Sequence, residues 1–194
     1  MPKQIAKGKR GIIFKTKFKG EQAIKKIERK DTQAINRINN EVYWLKKLNK
    51  YKIGPKLYSY KNNYFICEFI KGKNIIPFLK LSKNPLKIIL NILNQCRILD
   101  KLKIDKKEMT NPYKHIIIRK SKPIFIDFER TRVSEKPKNT TSFFQFLTSK
   151  KIQDILNQKN ISINKEEIKP LLKKYKNSFS EEDFNNLIEQ IKLY

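Results

Sequence analysis

The 194-residue sequence has few of the residues that build metal clusters and disulfide frameworks. Its two cysteines, Cys67 and Cys96, lie far apart inside apolar segments, and it has a single histidine. This excludes a paired-cysteine metal motif and a disulfide scaffold, and favours buried thiols in a reducing compartment. No stretch approaches the roughly 20 apolar residues of a membrane span. The opening residues, MPKQIAKGKRG, lack the apolar core of a signal peptide. We therefore expect a cytoplasmic protein without a membrane partner.

Acidic residues are also scarce, because 18 Asp and Glu face 45 Lys and Arg and leave a formal net charge of +27. Such an excess repels itself unless anions neutralise it, which makes RNA, ribosomes, DNA or anionic lipid natural partners. The lysine-rich segments 3–19 and the region after residue 150 are the candidate contact regions. The alternative is compositional, since Lys, Ile and Asn dominate in sequences encoded by A- and T-rich genes. Charge alone does not map a patch, and both explanations stay open.

Apolar periodicity runs along nearly the whole chain and predicts strands first and helices later. Three strands are predicted within residues 1–30, the second at 11–18 and the third at 21–27. Further strands are predicted at 56–60 and 64–69, followed by a hairpin at 115–119 and 123–127. Helices are predicted after Asp31 or Thr32, after Pro85, and in the C-terminal third, where Asn164 and Ser180 have the spacing of N-terminal caps. This order indicates an α+β fold, with a β-rich lobe over residues 1–72 and a helical lobe over 73–194. Residues 71–73 form the expected linker.

Two segments of the β-rich lobe could contact phosphate. The run Gly8-Lys9-Arg10-Gly11 lies between the first two strands, where glycines let backbone N–H groups approach phosphate oxygens. The alternative is an ordinary turn. Ala23-Ile24-Lys25 lies on the third strand, and a lysine there reaches phosphates if a carboxylate fixes it. Glu41 supplies that carboxylate, because it lies beside the apolar stripe of the next helix, where an unpaired acid is costly. The alternatives are a solvated lysine and an exposed glutamate.

A third candidate lies in the helical lobe, where the apolar run Pro123-Ile-Phe-Ile ends abruptly at Asp127. An aspartate at the end of a buried strand projects into a cleft and suits Mg²⁺, which prefers carboxylate and phosphate oxygens. The alternative is an aspartate that begins a turn. The position of Asp127, after a helix and a loop of the second lobe, favours the metal.

Together these segments resemble the protein-kinase-like superfamily. More narrowly, the chain resembles small archaeal predicted Ser/Thr kinases related to the RIO kinases and to the kinase subunit of the KEOPS tRNA-modification complex. The resemblance covers about residues 5–147 and implies a bilobal kinase fold with an ATP site between the lobes and a shortened helical lobe. The motifs that carry it are IGPKLY at 53–58, CEFIKG at 67–72, LDKL at 99–102, NPYKH at 111–115, IDFER at 126–130 and PKNTT at 137–141.

The resemblance also implies a role for each candidate residue. Gly8 and Gly11 would lie in the phosphate loop, Lys25 would bind the phosphates, Glu41 would hold Lys25, and Asp127 would bind Mg²⁺. The hinge that receives adenine through its backbone would consist of Glu68, Phe69 and Ile70.

Two features depart from the kinase pattern. The metal motif is Asp-Phe-Glu rather than Asp-Phe-Gly, and the catalytic loop is DKKEM at 105–109. Glu108 falls at the catalytic aspartate, where its extra methylene displaces the carboxylate by about 1 Å and can lower the rate by ~10²-fold. Asp105 is the alternative base. Tyr113 replaces the asparagine expected as a second metal ligand, and His115 is either a substitute ligand or a structural residue.

These features lead to two functional hypotheses. The first is an atypical Ser/Thr kinase or ATPase that binds ATP and Mg²⁺ and transfers phosphate to a protein hydroxyl or to water. The second is a pseudokinase that acts as a nucleotide- or RNA-binding scaffold. A purely structural, ribosome-associated basic protein would leave Lys25, Glu41 and Asp127 unexplained.

Overall fold

The fold was obtained as a computed structural model, which describes residues 2–7, 11–29 and 37–193. The expected α+β class is confirmed, with a strand-rich N-terminal part followed by helices. The chain divides into two compact units. The first comprises Met1–Lys71 and Ile124–Thr131, and the second comprises Gly72–Pro123 and Arg132–Tyr194. The segment 124–131, which the sequence analysis assigned to the helical lobe, therefore makes most of its contacts within the first unit.

The first unit is built on a five-stranded antiparallel sheet in the order β1-β2-β3-β5-β4. A helix, α1, packs against β3, β4 and β5 of this sheet. The sequence predicts an apolar stripe for this helix at Ile35, Ile38, Val42, Leu45 and Leu48. It is confirmed at the last four positions, which are buried, and Ile35 lies outside the described residues. The expected cap at Asp31 or Thr32 lies outside the described residues, as does Gly8. The elements are β1 (Lys3–Lys7), β2 (Gly11–Phe18), β3 (Glu21–Glu28), α1 (Arg37–Asn49), β4 (Leu57–Lys61) and β5 (Tyr64–Glu68).

The connection from α1 to β4 is fixed by Asn49 and Gly54. The Asn49 side-chain amide donates to the carbonyls of Ile53 at 3.2 Å and Pro55 at 2.9 Å, and its oxygen accepts from the Leu57 N–H at 2.9 Å. Gly54 adopts a φ of +84°, in the left-handed region that favours glycine. Gly54-Pro55, a dipeptide that in sequence indicates the end of a helix, therefore lies in a tight turn that leads into β4.

The second unit is mainly helical and contains three small sheets. Its strands are β6 (Lys73–Asn74), β7 (Ile104–Asp105), β8 (Ile116–Arg119), β9 (Lys122–Phe125), β10 (Arg132–Val133), β11 (Ile161–Ser162) and β12 (Lys192–Leu193). Its helices are α2 (Ile75–Leu81), α3 (Leu86–Lys101), α4 (Asn139–Leu147), α5 (Lys150–Asn157), α6 (Lys165–Ser178) and α7 (Glu181–Glu189). Strands pair in the orders β6-β8-β9, β10-β7 and β11-β12. A short 3-10 helix covers Pro112–Lys114.

Several local predictions for this unit are confirmed. The Asn164 side chain accepts from the Glu166 and Glu167 N–H groups, and the Ser180 hydroxyl accepts from the Asp183 N–H, so both residues cap helices. The apolar face predicted for the helix after Pro85 is buried in α3, at Ile88, Ile89, Ile92, Leu93, Cys96 and Leu99. The helix α2, which contains Pro77, was not predicted from the sequence. Proline is tolerated there because it lies in the first helical turn, where its missing N–H has no partner to lose.

The cysteines and the membrane expectation can also be compared with the structure. Cys67 and Cys96 are buried free thiols, as expected. Burial raises the pKa of both thiols well above the usual range, so neither is a ready nucleophile. Among the described residues, no helix is both long and apolar enough to cross a bilayer.

Gly54 provides a test of the packing in the first unit. A Cβ atom placed on it would lie 2.9 Å from Phe128 Cε2 and 3.1 Å from Leu45 Cδ2. We expect Gly54→Ala to lower the free energy of unfolding by about 2–4 kcal/mol, through left-handed strain and overpacking. Gly20 is a matched control, because its φ is +85° and its Cβ would meet nothing within 4 Å.

Gly20→Ala should lower stability by only about 1–2 kcal/mol, the strain contribution alone. Urea denaturation followed by circular dichroism measures both changes. Equal losses for the two variants would show that Phe128 does not pack on Gly54.

Candidate functional site

A buried ion cluster surrounds Lys26 of β3 and lies entirely within the first unit. The Lys26 ammonium is 2.6 Å from Glu41 Oε2 on α1, 3.2 Å from Asp127 Oδ1 and 3.5 Å from Glu129 Oε2. The side chains of Lys26 and Glu41 are only 12% and 5% exposed, whereas that of Asp127 is 37% exposed. The ion pair of Lys26 and Glu41 is therefore buried, whereas solvent can reach the carboxylate of Asp127.

The structure corrects the expected partner of Glu41, which pairs with Lys26 and not with Lys25. Successive side chains of a strand point to opposite faces of the sheet, so neighbouring lysines cannot both face α1. Lys26 lies opposite Phe65 of β5, which is buried. Lys25 points to the other face, where its ammonium lies 4.2 Å from the centre of the Tyr64 ring. The Ala-Ile-Lys motif had predicted the neighbouring lysine, Lys25, as the partner of Glu41, and this pairing is wrong.

Residues of α1 also hold the segment that carries Asp127. Glu41 Oε1 accepts from the Phe128 N–H at 3.2 Å. The Asn40 amide donates to the carbonyls of Glu129 at 2.9 Å and Thr131 at 3.1 Å, while its oxygen accepts from Trp44 Nε1 at 3.1 Å. Both N–H bonds of the Asn40 amide and its oxygen are engaged, so the side chain is held in one orientation and acts as a fixed clamp. Asn40 was not singled out from the sequence, and Glu129 was noted there only as a departure from the Asp-Phe-Gly motif.

Asp127 does not end a strand as predicted, because β9 ends at Phe125. Its φ is +62°, a left-handed conformation that aspartate adopts more readily than most residues. Phe128 is fully buried on the first unit. This turn, together with the Asn40 clamp, directs the carboxylates of Asp127 and Glu129 towards Lys26.

The cluster holds more negative than positive charge. Burial alone would lower the pKa of Lys26, but attraction by Glu41, Asp127 and Glu129 outweighs it and raises that pKa well above the usual range. Burial raises the pKa of Glu41, and repulsion by Asp127 adds to this, while Lys26 and the Phe128 N–H oppose it. The pKa of Lys26 is therefore raised by its carboxylate neighbours, whereas the pKa of Glu41 is raised first by burial and then by the neighbouring Asp127.

This excess of carboxylates fits a hard divalent cation. Glu41, Asp127 and Glu129 each offer an oxygen, and these atoms lie within 4.8 Å of one another. Oxygen donors are the ligands that Mg²⁺ prefers, and its charge would offset the excess. Within 2–7, 11–29 and 37–193, this is the only such group of three or more acidic, histidine or cysteine side chains. His115, the other expected ligand, does not belong to it.

In the second unit, the loop that carries Glu108 is organised by buried polar contacts. Asn139 donates to Asp100 Oδ1 at 2.8 Å and to the Ile104 carbonyl at 2.6 Å, and accepts from the Lys106 N–H at 2.9 Å. Asp100 also accepts from the first N–H groups of α4, at Asn139 and Thr140, each at 3.0 Å. A carboxylate from α3 thus caps α4, which favours a negative charge there.

The two candidate bases differ in their surroundings. Asp105 is buried, accepts from the Lys107 N–H at 3.1 Å and forms an ion pair with Lys107 Nζ at 2.9 Å. Glu108 is half-buried and has a φ of +21°, following Lys107 at +69°. The loop therefore turns tightly at the position of the predicted base, while Asp105 has a local cationic partner.

The remaining predicted residues lie on the sheet of the first unit. Gly11 begins β2, and a Cβ there would lie 3.1 Å from the Ile27 carbonyl, so close strand packing by itself favours glycine. The Glu68 N–H donates to the Lys56 carbonyl at 2.9 Å, and the Phe69 N–H donates to Gln22 at 3.3 Å. Ile70 is buried. Two of the three N–H groups in the expected hinge, those of Glu68 and Phe69, therefore already donate to backbone carbonyls.

Comparison with known proteins identifies the fold as protein-kinase-like. The chain is similar to the crystal structure of the Rio2 kinase from Chaetomium thermophilum, with a TM-score of 0.65 and 14% sequence identity. The likeness covers 95% of this chain and 69% of that chain. At this identity it shows the fold alone. No protein-family model and no curated protein matches the chain. The narrower resemblance to archaeal kinases and the KEOPS kinase stays a prediction.

The two lysines provide a matched test of the cluster. Lys26→Met leaves Glu41 buried without its cation and should lower the free energy of unfolding by about 3 kcal/mol. Lys25→Met removes only a contact with the Tyr64 ring and should lower it by less than about 1 kcal/mol. Chemical denaturation at pH 7 measures both. A larger loss for Lys25→Met would contradict the assignment.

The loss of stability caused by Lys26→Met should also depend on pH. Burial raises the pKa of Glu41 above its unfolded value of 4.5, and Lys26 opposes this rise. Without Lys26 the folded-state pKa rises further, so stability is retained below about pH 4.5 and falls as pH increases through the raised value. The difference in free energy of unfolding between Lys26→Met and wild type should therefore be smaller at pH 4.5 than at pH 7. A difference that stays constant over this range would argue against a charged Glu41.

Proposed function

We propose that the chain binds a nucleoside triphosphate with a divalent cation at the Lys26 cluster, as an atypical Ser/Thr kinase or an ATPase. The observation that carries this proposal is the combination of a buried lysine, a helix glutamate that holds it, and a partly exposed aspartate beside both. Phosphoryl transfer requires such positioning and charge stabilisation rather than covalent chemistry by the protein. The phosphate-binding role expected of Lys25 is assigned here to Lys26.

Each residue has a task that follows from its contacts. Glu41 fixes the Lys26 ammonium, which donates to phosphate oxygens of the nucleotide. Asp127 and Glu129 offer carboxylate oxygens to the cation, with Asp127 the more exposed of the two. A bound Mg²⁺ ion would neutralise phosphate charge. Asn40 acts as a positioning residue, because it holds the backbone on either side of Arg130.

The other predicted groups complete the proposal. Gly8 and Gly11 belong to the proposed phosphate loop. Within the hinge, the Ile70 N–H is the proposed donor to adenine, because the N–H groups of Glu68 and Phe69 already bind carbonyls of the sheet. Glu108 is the proposed base that accepts the proton of a protein hydroxyl or of water.

A non-catalytic scaffold is the second candidate, and the loop of the second unit favours it. Asp105, the alternative base, is tied to Lys107. Tyr113 stands where the second metal-binding asparagine is expected. Both features would weaken catalysis without affecting the Lys26 cluster. A pseudokinase would therefore retain nucleotide binding and lose turnover.

Titration calorimetry with ATP and Mg²⁺ tests the binding site. We expect Lys26→Met to weaken ATP binding by about 10- to 100-fold, the scale of one charged hydrogen bond. Lys25→Met is the matched control and should leave the affinity unchanged. Asp127→Asn, which keeps the side-chain shape, should abolish the dependence of binding on Mg²⁺. The proposal fails if wild type binds no nucleotide, or if Lys25→Met is the variant that loses affinity.

Turnover of radiolabelled ATP separates the kinase from the scaffold. Glu108→Gln should reduce turnover by ~10²-fold or more with ATP affinity unchanged, because a base acts in the chemical step and not in ground-state binding. Asp105→Asn is the comparison. Loss of turnover in Asp105→Asn alone would move the base to Asp105. Wild type that binds ATP but does not turn it over would establish the scaffold.

A further inference from the structure

Exposed charge is distributed unevenly within the second unit. Residues 72–123, all of which the structure describes, contain three acids, of which Asp100 and Asp105 are buried and Glu108 is half-buried. No acid is exposed in this stretch. The exposed lysines of the same stretch are Lys73, Lys80, Lys83, Lys87, Lys101, Lys103, Lys114, Lys120 and Lys122. Its surface is therefore basic almost without local compensation.

The C-terminal helices, expected from sequence to be a nucleic-acid contact region, have a different surface. There lysines alternate with acids and pair with them. Lys169 contacts Glu166 at 2.9 Å, Lys174 contacts Asp183 at 2.9 Å, and Lys192 approaches Glu167 at 3.9 Å. Each pair reduces the local potential that a polyanion would meet. The lysine content of α6 thus overstates its basic character, and α7 contains acids but no lysine.

Five of the uncompensated lysines lie on neighbouring elements. β6 pairs with β8, with Lys73 opposite Ile118, and β8 forms a hairpin with β9. The helix α2 packs against β6, β8 and the 3-10 helix. Gly72 allows this close packing, because a Cβ there would overlap the Ile118 carbonyl. We call this area the hairpin–α2 surface; its lysines are Lys73, Lys80, Lys114, Lys120 and Lys122.

An aromatic ring accompanies these lysines. Tyr113 is 37% exposed, and Lys114 Nζ lies 5.2 Å from the centre of its ring. No acid in the described part of the chain forms an ion pair with any of the five lysines. Exposed aromatic rings and lysines on the same surface are the groups that bind single-stranded nucleic acids, where bases stack on rings and phosphates contact lysines.

We propose that the hairpin–α2 surface binds single-stranded nucleic acid. Lysines act as point charges on phosphates, and Tyr113 offers a face on which any base can stack, so binding would depend little on sequence. An anionic lipid surface is less suited, because only one large aliphatic side chain, Leu81, is exposed on residues 72–123. The surface shares no residue with the Lys26 cluster, and the proposal is independent of nucleotide binding.

Fluorescence anisotropy with a labelled 20-nucleotide uridine RNA, over a series of KCl concentrations, tests this proposal. The combined variant Lys73→Glu, Lys114→Glu and Lys122→Glu should weaken binding at least about tenfold and lower the salt slope by about 2, at ~0.7 per lost phosphate contact. The matched control is Lys165→Glu, Lys169→Glu and Lys173→Glu on α6, which changes net charge equally. It should weaken binding less than about threefold and keep the slope.

A second variant tests stacking without changing charge. Tyr113→Leu should weaken RNA binding about tenfold and leave the salt slope unchanged. Thermal melting followed by circular dichroism establishes that each variant is folded. Equal losses for the two triple variants would show that net charge alone drives binding. Absence of RNA binding at low salt would also overturn the proposal, as would vesicles of phosphatidylserine binding through these lysines while RNA does not.

Discussion

The first unit depends on the 2.6 Å ion pair between Lys26 and Glu41. Glu41 is almost fully buried, and an uncompensated carboxylate there would cost several kcal/mol. Its two oxygens are used by different parts of the unit, one by the β3 lysine and the other by the Phe128 N–H. One side chain thereby couples strand, helix and the segment of Asp127. Displacing α1 would break both contacts together, so the positions of these three elements depend on one another.

The sequence predicted the acids of this site better than the lysine. Glu41 was recognisable because it interrupts an apolar helical stripe, where a carboxylate requires a partner. The lysine depended on the register of β3, and the run Ile24-Lys25-Lys26 offers two adjacent cations on opposite faces. A one-residue step exchanges the faces, so motif spacing alone was an insufficient guide. The pairing of β3 with β5 identifies the lysine that faces α1. Ile24 lies opposite Cys67 and Lys26 opposite Phe65, and both partners are buried.

Other features left no sequence pattern. Asn40 binds backbone carbonyls of residues 129 and 131, and carbonyls are present at every position, so nothing in the sequence marks those acceptors. The same contacts explain why segment 124–131 belongs to the first unit although it follows part of the second along the chain. Fold class and most helix faces were predictable because they depend on local periodicity. The ion cluster depended on tertiary contacts between distant residues, such as Lys26 and Asp127, which lie 101 positions apart.

The charge of the chain and the charge of its candidate site have opposite signs, and this has a consequence for ligand binding. A net charge of +27 attracts polyanions from solution. The Lys26 cluster, with three carboxylates around one ammonium, locally attracts cations. A nucleotide that carries a divalent cation would suit both charges, because its phosphates are attracted by the net positive charge and its cation by the carboxylates. A nucleotide without the cation would bring further negative charge towards Asp127 and Glu129. Since exposed charges are screened beyond about 10 Å at 0.1 M salt, added salt weakens the long-range attraction much more than the buried cluster. The dependence on the cation should therefore persist at ionic strengths where non-specific binding of polyanions has been lost.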